Sequence, residues 1–96
     1  MPIYMIERNF AEKLEATPES AAEINQINDE ESVRWIISFL SVDKKKTFCL
    51  YEASNIEAIR EAARRAGIPA DAIIEVGSEI LPNGETLPFN NKRFDR

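Results

Sequence analysis

Six side chains able to do chemistry stand on strand-like segments of this sequence: Glu7, Arg34, Ser38, Cys49, Tyr51 and Glu75. The carboxylates Glu7, Glu52 and Glu75 would matter most if two of them met. One would then be forced to keep its proton, and the pair could serve as a general base or cation site. The plainer and favoured outcome pairs each with Arg8, Arg34 or Lys46, or leaves it solvated. Cys49 is the single thiol, and it turns nucleophilic only beside a positive charge. The chain has no His, so the Cys–His pair is impossible. A mid-strand Cys is more often a small buried hydrophobe. Tyr51 carries a hydroxyl that needs a partner once buried, either a ligand or a neighbouring side chain. Trp35 is read as core rather than as a stacking platform.

Other chemistries are disfavoured. Without His, and with one Cys, no metal-ligand spacing exists; Asn28-Asp29-Glu30-Glu31 lacks the Gly and the periodicity of a calcium loop. The three glycines, Gly67, Gly77 and Gly84, build neither phosphate-binding loop. No cofactor is therefore expected. With 12 Lys and Arg against 17 Asp and Glu, the net charge is −5, which argues against nucleic acid. The basic runs Lys44-Lys45-Lys46 and Arg64-Arg65 read as a turn and a helix end. A lone thiol suits a reducing, cytoplasmic setting. The first residues lack a basic region, so no signal peptide is expected, and no apolar run reaches the ~20 residues that span a bilayer.

The elements that must position these residues follow from periodicity and caps. A chain of 96 residues fits one domain, with 44% apolar residues to build its core. Residues 3–8 predict a first strand. Thr17-Pro18-Glu19 starts a helix over 18–31 with Ala21, Ile24 and Ile27 inward. Residues 33–42 and 47–53 predict a hairpin of two strands. Ser54 and Glu57 have capping-box spacing ahead of a second helix, which Gly67 and Pro69 end. Residues 73–80 predict a fourth strand, with Gly77 marking a bulge or a close approach. Residues 81–96 read as a mobile tail, or as an arm whose Phe89 and Phe94 dock on a partner.

The order β-α-β-β-α-β predicts an α+β, ferredoxin-like domain over residues 1–80. Its four-stranded antiparallel sheet has both helices on one face. The bare face is expected to pair with a second copy in a dimeric α/β barrel. The more apolar face should lie under the helices. That assigns Tyr4, Ile6, Trp35, Ile37, Phe39, Phe48, Leu50, Ile74 and Val76 to the core. Met5, Glu7, Arg34, Ile36, Ser38, Cys49, Tyr51, Ile73 and Glu75 then fall on the open face, a mixed lining that suits an interface or a small pocket.

Several segments resemble one family. They are Ile6-Glu7-Arg8, Val33-Arg34-Trp35, the hairpin stretch from Lys46 to Ala53, the helical run from Glu57 to Ala63, Gly67-Ile68-Pro69, and Ile73-Ile74-Glu75-Val76. Together they are similar to a domain-of-unknown-function family of small bacterial proteins that includes nickel-binding proteins of actinobacteria. The resemblance covers residues 3 to about 80, and it implies a ferredoxin-like fold and a dimer. Its nickel-binding members carry His on the second helix, where this chain has Ala63, Arg64 and Arg65, so the nickel function is not carried over.

The favoured expectation is a small homodimeric binding or regulatory domain with no catalytic motif. It would pair through the sheet face and take a small-molecule ligand near Glu7, Arg34, Ser38, Cys49, Tyr51 and Glu75. The alternatives are a cofactor-free enzyme of the oxygenase or isomerase type, by analogy of fold, or metal binding through carboxylates and the thiol.

Overall fold

Two capped helices and four alternating strands fold as the periodicity predicts. The computed structural model describes residues 1–94, so the last two positions of the expected tail lie outside the described residues. The strands are β1 (Ile3–Asn9), β2 (Arg34–Leu40), β3 (Lys46–Glu52) and β4 (Ala72–Val76), and the helices are α1 (Pro18–Glu30) and α2 (Ile56–Ala66). The sheet order is β2-β3-β1-β4, antiparallel throughout. This is the α+β ferredoxin-like arrangement. Among the described residues no helix is long and apolar enough to cross a membrane.

The helix ends show why the chain starts and stops where it does. At α1, Thr17 and Ser20 cap each other's backbone N–H groups, with Pro18 at the first helical position. At α2 the cap is Asn55, not Ser54; Asn55 Oδ1 accepts from Ala58 N at 2.9 Å. Both residues are cap formers, so composition alone does not choose between them. Gly67 closes α2 at φ 70°, a left-handed conformation that costs glycine least.

The faces are where expectation and structure part. Residues opposite each other in a ladder share a face. Tyr4 lies opposite Tyr51 and Glu75, Ile6 opposite Cys49 and Ile73, and Arg8 opposite Thr47. Tyr4, Ile6, Cys49, Tyr51 and Ile59 belong to the core cluster. The side under the helices therefore carries Cys49, Tyr51, Ile73 and Glu75, which were expected on the open face. The open side carries Phe48, Leu50, Ile74 and Val76, which were expected in the core. On β2 the register shifts between Trp35 and Ile37. Trp35 and Ser38 thus both pair with helix-side residues of β3, while Ile37 and Phe39 turn outward. The extra residue of a β-bulge resets the alternation downstream of it.

The expected fourth strand breaks at Gly77. Beyond it, β5 (Ser78–Ile80) pairs with β6 (Thr86–Pro88) in a second hairpin. Its turn uses Gly84 at φ 89°. A short 3-10 helix, Asn91–Phe94, follows and rests against β2, at the sheet edge opposite β4. Phe89 and Phe94 stack on each other with centroids 6.4 Å apart. Arg93 pairs with Glu79 across this segment.

Candidate functional site

The inward side of α1 is built from small and medium residues, and it does not fill the space above the sheet. Asn28 is its one buried residue, while Ala21, Ile24 and Ile27 are half-buried. The chain between β1 and α1 is pinned over the β2–β3 turn, with Phe10 N bonded to Lys45 O at 2.8 Å and Leu14 N to Lys44 O at 2.7 Å. These restraints hold open a pocket of about 260 Å³ between the sheet and α1. Phe10, Leu14, Ile24, Trp35, Leu40 and Ile68 supply much of its apolar wall. Arg8, Ser20, Ser38, Thr47, Cys49 and Tyr51 supply its polar atoms.

Half of those polar residues serve one another. Trp35 Nε1 donates to Ser38 Oγ at 2.8 Å, Ser38 Oγ to Cys49 Sγ at 2.8 Å, and Cys49 Sγ to Thr47 Oγ1 at 3.4 Å. This relay exists because the β2 bulge places Trp35 and Ser38 on one side. A linear relay of this kind lowers the cost of burying hydroxyl and thiol groups. Trp35 also stacks on Tyr51, with centroids 6.4 Å apart and planes 13° from parallel. Burial pushes the Tyr51 hydroxyl above its ordinary pKa of 10.0, opposed by the nearby Arg8 charge. Tyr51 therefore stays a phenol, able to donate.

Arg8 is the group that sequence reasoning missed as a site residue. It is 3% exposed, donates from Nη1 to Pro69 O at 2.6 Å, and holds Cζ 5.5 Å from the centre of the Tyr51 ring. Among the described residues no carboxylate lies within ion-pair distance of it. The signal was present in the sequence. Tyr4, Ile6 and Arg8 alternate at period two, so the first two carry the third onto the core face.

The six residues expected to form one site divide. Ser38, Cys49 and Tyr51 come together in the pocket, on the side under the helices. Glu7 and Arg34 lie on the open side. There Glu7 faces Lys46 Nζ at 3.4 Å and Arg34 Nε pairs with Glu52 at 3.1 Å. These are the ion pairs anticipated as the plainer fate of two of the three carboxylates. Glu75 sits exposed on the edge strand β4 and is not among the pocket-lining residues. Among the described residues, no group of three or more His, Cys, Asp and Glu side chains gathers as a metal site would.

The crystal structure of SCO4226 from Streptomyces coelicolor A3(2) superposes with a TM-score of 0.60 at 23% sequence identity, covering 77% of this chain and 94% of that one. At that identity the likeness speaks for the fold. No curated protein sequence matches. A family model described as nickel responsive protein SCO4226-like matches residues 4–76, which takes in both helices and all of the four-stranded sheet but its first residue. On that match, the chain belongs to the SCO4226-like family.

Proposed function

We propose that this chain is a binding domain without catalytic chemistry, working as a homodimer. The pocket between the sheet and α1 carries the reading. It is a half-open, mostly apolar recess with a few polar groups, as ligand sites are. No carboxylate or imidazole lines it, and its thiol and Ser38 hydroxyl are bound to neighbours. A proton-abstracting enzyme would place a base there.

The pairing half of the proposal is supported by the open side of the sheet. Phe39 is 50% exposed, Ile74 62%, Phe48 38% and Met5 36%. Registered side by side on one face, they form the kind of patch that a partner covers. The charged pairs Glu7–Lys46 and Arg34–Glu52 lie on the same face and would add polar contacts.

The family description raises nickel, and this chain's residues do not fit that ion. There is no His, and the only Cys is 4% exposed and held in the Ser38–Thr47 relay. Nickel favours imidazole and thiolate donors.

Native mass spectrometry on protein purified gently from its own host tests the proposal. The expected result is a dimer carrying a stoichiometric small mass. A monomer at micromolar concentration overturns the pairing, and bare protein overturns the ligand.

A further inference from the structure

We propose that the pocket under α1 binds a small monocarboxylate with an apolar body, anchored by Arg8. The inference rests on the binding-domain reading and names the class of ligand. Arg8 is the observation that carries it. A guanidinium closed off from water without a counter-charge is destabilising, because its lost hydration is not replaced. Here the described residues give it one carbonyl, Pro69 O, and the Tyr51 side chain, its ring face and its hydroxyl, and no counter-charge. A guanidinium has five N–H donors in a planar fork. Arg8 lines the pocket, and among the described residues the only fully enclosed side-chain nitrogen or oxygen without a partner is Asn28 Nδ2. Any donor that Arg8 has not used is therefore not sealed in the core, and the pocket is the space its side chain borders. A carboxylate matches that fork with two parallel bonds and supplies the missing charge.

The rest of the wall defines the body of the ligand. Tyr51 can add a hydroxyl donor beside Arg8. No Asp or Glu among the lining residues would repel an anion. The remaining surface, from Phe10 and Leu14 to Trp35 and Leu40, is apolar. The volume is about 260 Å³. A branched short-chain acid or a single-ring acid fits it.

Trp35 is the single tryptophan and lines the pocket, so its emission reports occupancy. Titrating the full chain with benzoate, phenylacetate and isovalerate should change Trp35 emission. Benzamide and benzyl alcohol should bind about 10- to 100-fold more weakly, the difference made by charge-assisted hydrogen bonds. Arg8→Met should lose the preference for the acid, and Ala21→Phe should block the pocket from α1 while leaving Arg8 in place. If Arg8→Met does not fold, Ala21→Phe and the acid-against-amide ratio still decide. Equal affinity for acid and amide overturns the carboxylate assignment while the binding-domain reading stands. Failure of every acid to bind also overturns the assignment. The broader reading falls only if protein from the host carries no added mass.

Discussion

The two sides of the four-stranded sheet hold opposite assortments of side chains. Under the helices, Arg8, Thr47, Cys49 and Tyr51 are each less than 5% exposed. On the other side, Met5, Phe39, Phe48 and Ile74 are each at least 36% exposed. The difference teaches what buries a face. The helices return to whichever side their connections allow, and the residues there must satisfy one another once covered. Thr47, Cys49, Ser38 and Trp35 do so by hydrogen bonding in series. The open side keeps large apolar residues exposed between its ion pairs.

The largest expected contrast lies between two neighbours on β1. Ile6 is fully buried under the helices and Met5 is a third exposed on the open side. Ile6→Ala should destabilise the fold by about 2–5 kcal/mol, and Met5→Ala by less than about 1 kcal/mol. Urea unfolding measures both, and equal losses would break the contrast. Next comes assembly. Phe39→Glu combined with Ile74→Glu should turn a dimer into a folded monomer in sedimentation velocity, with far-ultraviolet dichroism unchanged. A dimer that survives the double change would move the interface elsewhere.

A smaller effect sharpens the covered side. Tyr51 has a folded pKa raised above its unfolded value, so its contribution to stability is complete below about pH 10 and declines as pH rises through the folded value. Unfolding midpoints from pH 9 to 12 should fall more steeply for the native chain than for Tyr51→Phe. Parallel curves would count against burial of the hydroxyl. The smallest effect concerns Arg65, which bridges Glu30 and Glu31 between the two helices. Its guanidinium holds the Glu30 carboxyl below the usual carboxylate range. That contribution is present above the ordinary pKa of 4.5 and is lost as pH falls through the lower folded value. Arg65→Gln should matter little at neutral pH, and less still in high salt. A large loss would show that the ion pairs, not the apolar packing, hold α1 to α2.

The order of elements was legible because caps and alternation are local. Thr17-Pro18 starts α1, Gly67 ends α2, and each of the first four strands appears near its expected position. Facing was not legible on β3. Phe48, Cys49, Leu50 and Tyr51 can all be buried, so either phase gives a plausible core. The bulge at Trp35 to Ile37 compounds this, since no residue there marks an extra position. The site was half legible for the same reason. Ser38, Cys49 and Tyr51 do lie together, but on the side opposite to the one expected, beside Arg8 and Trp35. The C-terminal hairpin escaped notice because strands of three residues show too little alternation to read.

The sheet order also sets a timetable for synthesis. β1, made before the other elements of this chain, is a central strand, and its two neighbours are β3 and β4. The last of these begins at Ala72. At ~5–20 residues per second a ribosome needs roughly 3 to 13 seconds to travel from β1 to β4. Through that interval Ile6 waits without its full complement of neighbours, beside a buried-to-be arginine. The nascent chain can therefore pair β1 with β3 first, but it cannot close the sheet around β1 until β4 has been made.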